Sequence, residues 1–239
     1  MKHLKTILFS VLLLVASLAC SAVSNLMATP TPAPTVTPAS TATPVPTSTP
    51  LPLPTSDVVL FEDSEFTNSC NTDSTADVER SVVNGQFNML INTAQYVGWS
   101  ECTKVEFSDV IVEADAIQVA GSKDSIYGIL FRYGLDDDEF YVFAVSGDGF
   151  YILAIDGAEH TEPEIIVDWT ESSAIKQDQQ TNHLKVVAIG SNIQYYVNDQ
   201  LLGEAQDFRL TKGTVGFFVG SIEEGGIQVA FDNLKISQP

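Results

Sequence analysis

The chain has 239 residues, with 31 Asp or Glu against 11 Lys or Arg and a net charge of −20. That balance argues against a nucleic-acid binder, which needs basic surface for phosphates, and against electrostatic docking on anionic lipid. At 44% hydrophobic the chain can bury a core, so disorder throughout is excluded.

The first segment, residues 1–19, reads as an export signal. Lys2 and Lys5 precede an apolar run, Ile7–Ala19, broken only by Ser10 and Ser17. Thirteen residues are too few for the roughly 20 of a spanning helix. The end of the run, SLAC, resembles a bacterial lipoprotein signal, which implies lipid on Cys20 and anchorage at the cell surface. Ser17 and Leu18 depart from the usual pattern there, so cleavage after Ala19 or Ala22 and free secretion is the alternative.

Residues 20–56 then carry the attachment point and a stalk. Ala28–Ser56 holds nine of the chain's 11 prolines among Thr, Ala and Ser, with no charge. Proline fixes φ and removes a donor, so an extended polyproline-II spacer is expected. Its composition permits O-glycosylation. All 31 acids and nine of the bases fall in residues 57–239, which therefore carry −22.

From Asp57 the pattern is β. Tyr127–Tyr133 alternates, which predicts Ile129, Phe131 and Tyr133 on one face and Arg132 on the other. Phe140–Val145 and Phe150–Ile155 follow, joined by Ser146-Gly147-Asp148-Gly149. Leu184–Ile189 and Ile193–Val197 flank Gly190-Ser191-Asn192. Asn198-Asp199 turns the chain toward Leu201-Leu202, and Thr214–Val219 and Ile227–Ile236 complete the series. Short strands with Gly, Asn and Asp turns predict an all-β sandwich or barrel. One turn of helix is expected around Ser172–Lys176.

These stretches, with FEDSEF (61–66) and FSDVIVEADAIQV (107–119) as looser matches, resemble the bacterial concanavalin A-like, or laminin-G-like, jelly-roll domains of exported proteins. The resemblance covers nearly all of 58–236. It implies an antiparallel β-sandwich. For function it implies only a range: sugar binders, sugar-cleaving enzymes and modules without a ligand.

Two cysteines remain after Cys20. In an exported chain Cys70 and Cys102 are expected to form a disulfide; two buried free thiols are the alternative.

Catalytic signals are sparse. The E-x-D-x-x-E strand of family-16 glycoside hydrolases is absent: Glu101–Glu106 and Glu159–Glu164 both lack the middle Asp. Asp136, Asp137, Asp138 and Glu139 fall where a hairpin loop belongs. His3 belongs to the signal, and His160 and His183 lie in no nucleophile motif. Hydrolases of 3-keto-glycosides share the general pattern, but their site residues do not map onto this chain.

Two binding chemistries remain. Many jelly rolls pin their first and last strands with calcium, and by that resemblance Glu62, Asp63 and Asp232 are the candidate ligands. Sugars stack on aromatic rings, which makes Trp99, Tyr133, Tyr141, Tyr151, Trp169, Tyr195 and Tyr196 candidates. Trp99, Tyr141 and Trp169 lead that set. Arg132, a base inside an apolar strand, either forms a structural pair with an acid or lines a concave face. The expected function is a surface-displayed, non-catalytic jelly-roll module that binds polysaccharide or cell-wall glycan or acts in adhesion. A glycoside-acting hydrolase and a structural or protein-interaction module are the alternatives, and no nucleic-acid partner is expected.

Overall fold

The computed structural model describes residues 58–134, 138–158, 160 and 162–239. The signal, Cys20, the stalk and the acids Asp136 and Asp137 lie outside the described residues.

Among the described residues the chain forms fourteen strands and no helix. The first five are β1 (Val59–Asp63), β2 (Val78–Val83), β3 (Gln86–Ile91), β4 (Val97–Glu101) and β5 (Val110–Ala120). Next come β6 (Ile126–Tyr133), β7 (Glu139–Ser146), β8 (Phe150–Gly157), β9 (Glu164–Glu171) and β10 (Asn182–Ile189). β11 (Asn192–Val197), β12 (Gln200–Gln206), β13 (Thr214–Gly220) and β14 (Ile227–Ser237) finish the chain. Where a turn of helix is expected, Ile175 N–H donates to Ser172 O at 3.2 Å, closing a single turn that does not propagate.

The strands form two antiparallel sheets. The first has the order β12-β11-β10-β5-β14-β3-β2, with β1 against the C-terminal half of β14. The second runs β4-β13-β6-β7-β8-β9. Alternation sends one face of each sheet into a shared core. Phe217 from the second sheet stacks on Phe231 from the first, centroids 4.1 Å apart, and Phe66 and Phe87 pack around them. Phe143 meets Tyr195 in the same way further along.

Turn chemistry fixes the hairpins. Asn198 and Asp199 both take positive φ, 50° and 65°, as a two-residue type I′ turn requires. Asn84 and Gly85 do the same between β2 and β3. The expected disulfide is present: Cys70 and Cys102 are bonded, S–S 1.93 Å. It ties the connection leaving β1 to the end of β4, and so links the two sheets.

Candidate functional site: the outer face of the second sheet

The residues of the second sheet that point away from the core follow from register. Core residues Val215, Phe217 and Val219 alternate with Gly216, Phe218 and Gly220 on β13. Their partners across the ladder share the outer face: Glu101 and Trp99 on β4, Leu130 and Gly128 on β6. β7 and β8 add Phe140, Val142, Ala144, Ile152 and Ala154, then Asp156 opposite Phe140. The middle of this face carries no hydrogen-bonding side chain. The polar groups collect where β4, β6, β7 and β8 approach one end of the sandwich.

Alternation alone would turn Tyr133 inward beside Phe131. A bulge prevents it. Thr214 pairs with Tyr133 and Val215 with Phe131, so Arg132 is the extra residue, at φ 53°. Tyr133 therefore emerges on the outer face, its ring 5.8 Å from Phe140, while Trp99 lies 5.3 Å from the same ring. The Tyr133 hydroxyl donates to Asp138. Burial, reinforced by the Asp138 carboxylate, pushes the Tyr133 phenol up to about 12. Glu101 adds its negative charge nearby, and its Oε1 is buried without a hydrogen-bond partner.

Across the same end, His160 Nε2 is 2.9 Å from Glu139 Oε1, and that contact raises the His160 pKa. Burial raises the Asp156 carboxyl, opposed by the Gly157 N–H and by His160. The arrangement offers aromatic rings beside carboxylate acceptors, which is how a protein holds a sugar ring and its hydroxyls.

Of the residues singled out from sequence, the structure brings Trp99 and Tyr133 together and places the others elsewhere. Arg132 does not line the face. It is 1% exposed, and its guanidinium donates to Ser108 O at 2.9 and 3.1 Å and to Leu210 O at 3.0 Å. Burial lowers its pKa. Tyr141 faces the core, stacked on Phe131, and its hydroxyl donates to Asp207 at 2.6 Å. Burial and Asp207 push that phenol up to about 12. Burial alone would raise Asp207, but bonds from Arg209 and Tyr141 outweigh it and hold the carboxyl at about 2.

Tyr151 and Tyr195 are core rings 5.7 Å apart. Tyr196 lies on the outer face of the first sheet under Lys185. Trp169, 41% exposed, stands at the far end of the second sheet beside Phe150, over a hollow of about 230 Å³.

The calcium candidates do not converge. Asp63 Oδ1 accepts the N–H groups of Glu65 and Phe66 at 2.9 and 2.7 Å, closing the turn after β1. Glu62 is opposite Lys235. Asp232 accepts from Gln86 Nε2 at 3.2 Å. Among the described residues no group of three or more His, Cys, Asp or Glu side chains is placed to hold a metal ion. Glu106 binds Lys212 and Glu164 binds Arg209, while Glu101 stands at the end of β4 and Glu159 lies outside the described residues.

No protein-family model matches the chain, and no curated protein matches it in sequence. Solved structures do match in shape. A Bacillus subtilis protein of unknown function with a galectin-like fold aligns at TM-score 0.59 and 10% identity, over 76% of this chain and 96% of that one. The fold is a jelly-roll β-sandwich. The catalytic domain of an endo-1,3-β-glucanase (laminarinase) from Thermotoga petrophila aligns at TM-score 0.51 and 8% identity, over 74% and 96%. An endo-acting O-glycanase of the human gut microbiota aligns at 0.51 and 9%, over 76% and 99%. At these identities the likeness establishes the fold alone.

Proposed function

We propose that this chain is a non-catalytic glycan-binding module, displayed outside the cell on its Pro/Thr-rich stalk and anchored through lipid on Cys20. The carrying observation is the Trp99–Tyr133–Phe140 cluster, set beside Asp138 and Glu101 on the outer face of the jelly roll. Rings offer a stacking surface for sugar C–H groups, and the carboxylates accept hydroxyl protons. Structural neighbours that act on glycans share this fold, which agrees with the reading without separating binding from cleavage.

Strand spacing favours binding. Glu101 on β4 and Asp156 on β8 are four strands apart, about 19 Å at 4.8 Å per strand. Hydrolysis by two carboxylates needs roughly 5–10 Å. Asp138 already accepts from Tyr133, and Glu139 is held by His160.

A hydrolase reading keeps one supporting feature, the raised pKa of buried Asp156, which suits a proton donor. Polysaccharide pull-down with a reducing-end assay separates the two. Binding predicts retention of a polysaccharide with no new reducing ends, weakened about tenfold or more by Trp99→Ala. Release of reducing ends, abolished by Asp156→Asn, would overturn it in favour of the hydrolase. The anchor is tested by mass spectrometry of the exported N-terminus: diacylglycerol on Cys20 is expected, and an unmodified terminus would contradict it.

A further inference from the structure

At the end of the second sheet away from Tyr133, an aromatic hollow of about 230 Å³ opens at the surface. Phe150 begins β8, and Trp169 lies beside it on the edge strand β9, where Phe150 pairs with Glu171 and Tyr151 with Thr170. Ile222 approaches from the β13–β14 connection and Asp124 from the β5–β6 connection. Ser146 and Asp148, at the β7–β8 turn, complete the wall.

Half of these six side chains are large and apolar, and all three reach solvent. Trp169 is 41% exposed, Ile222 is 38% exposed and Phe150 is half-buried. A group of large apolar side chains left open to water is the informative departure from ordinary surface. The indole is not spent on a cation of the protein itself: among the described residues the one cation over an aromatic ring is Lys185 over Tyr196.

The charge around the rings has one sign. Among the described residues no ion pair engages Asp124, Asp148 or Glu171. Glu171 shares the face of Phe150, directly opposite it on β9. The nearby lysines are committed elsewhere, Lys123 to Asp178 and Lys176 Nζ to Thr181 O at 3.3 Å. The Ser146 hydroxyl is also spent: it donates to Asp148 and accepts the Phe150 N–H at 3.0 Å.

We infer that this hollow binds an organic cation, a quaternary ammonium of the choline type, with its methyl groups against Trp169, Phe150 and Ile222. The negative faces of aromatic rings attract a cation, and Trp does so best. A quaternary ammonium carries its charge beneath methyl groups and has no N–H, so no carboxylate oxygen has to reach it. Asp124, Asp148 and Glu171 act through charge alone, across a distance over which salt screens only partly. The same three charges repel an anion. A sugar needs donors as well as acceptors, and the Trp169 indole N–H is the one side-chain donor of the wall not already used. The volume falls below the roughly 300–1,000 Å³ of pockets for drug-sized ligands, which suits a compact headgroup.

The hollow is separate from the Trp99 cluster: Phe140, in that cluster, and Ser146, in the hollow, stand about 20 Å apart along β7. The test is an NMR titration of the full ¹⁵N-labelled chain, in which Trp99 and Trp169 each give an indole N–H signal. The probes are choline chloride to on the order of 100 mM, its uncharged carbon isostere with a tert-butyl group in place of trimethylammonium, and glucose, all at ionic strength fixed with sodium chloride. Choline should shift the Trp169 indole saturably, with a dissociation constant on the order of millimolar, and leave the Trp99 indole in place. The isostere should bind about tenfold more weakly or not at all. Asp124→Asn combined with Asp148→Asn should weaken choline severalfold without changing the response to the isostere, and Trp169→Ala should abolish the choline shifts at the amides of residues 146–150. No saturable shift with choline would overturn the assignment. So would an equal response to the isostere, which would make the hollow merely apolar, an equal response to glucose, which would make it a sugar platform, or unchanged choline affinity in the folded double variant. The Trp99 indole reports the glycan site separately, so either reading can fail alone.

Discussion

The two sheets turn opposite surfaces outward. On the first, Glu113 and Asp115 of β5 stand against His183 and Lys185 of β10 and Asp232 and Lys235 of β14. Lys185 Nζ is 3.3 Å and Lys235 Nζ 3.5 Å from Glu113, and His183 Nδ1 is 2.8 Å from Asp115. His183 and the two lysines outweigh the burial of Glu113 and hold its carboxyl at about 2. Internal pairing accounts for these charges, and beside them Ile111, Val187 and Tyr196 form a small buried apolar cluster on the same face. On the second sheet the same alternation yields Leu130, Phe140, Val142, Ala144, Ile152, Ala154 and Phe218, with polar groups only at one end. Among the described residues no strand forms a third layer over it. These seven residues are at most 5% exposed, so the apolar middle of this face is covered, and its half-buried edge at Trp99 and Tyr133 is where function is to be sought.

The comparison can be broken most forcefully at Phe140, under Trp99 and Tyr133. Phe140→Ala should cost about 3–5 kcal/mol, as in a core, although the residue is on an outer face. Urea melts showing under 1 kcal/mol would mean the layer is loosely packed. The disulfide comes next, because it ties the two sheets. Serine at both Cys70 and Cys102 should lower stability by about 3–4 kcal/mol while leaving glycan retention intact below the new Tm. Lost retention at a temperature where the variant remains folded would place the bridge in the site.

Arg132→Ala should cost about 2–3 kcal/mol, because the carbonyls of Ser108 and Leu210 lose their donors. It should also weaken glycan retention, since the bulge at Arg132 turns Tyr133 outward. Unchanged retention in a folded variant would uncouple Tyr133 from the bulge.

The smallest expected effect is a pH dependence on the first sheet. Glu113 and Asp115 hold the His183 pKa above its ordinary value near 6.5, against burial. The stabilisation is therefore complete below about 6.5 and is lost as pH rises through the folded value. His160 adds the same sign through Glu139. His183→Gln should flatten that decline in denaturant melts; an unaltered profile would remove His183 from the account.

Much of this fold is legible in the residues. Alternation in β6, β7, β8, β10 and β13 reads directly, and Asn198-Asp199 announces its turn. Asn84-Gly85 is an equally plain hairpin signal for β2 and β3, whose flanks are too polar to read as strands alone. β4 and β9 are short or exposed edge strands with little apolar contrast. The site is less legible for a physical reason. Period-2 reading assumes an unbroken strand, and the bulge at Arg132 reverses Tyr133 within one residue. Aromatic type marks Trp99 and Tyr133 as candidates, but their convergence with Asp138 depends on pairing between strands distant in sequence. The calcium triad fails in the same way: Asp63 and Asp232 are occupied by local partners that no motif encodes.

The most direct test of the central claim compares the exported chain with its Trp99→Ala variant on immobilised neutral polysaccharides, with reducing ends assayed in the eluate. The account predicts retention of the natural chain on at least one polysaccharide, about tenfold weaker retention of the variant at unchanged Tm within a few degrees, and no reducing ends from either. Equal retention of both proteins, or no retention of the natural chain on any polysaccharide, would contradict it.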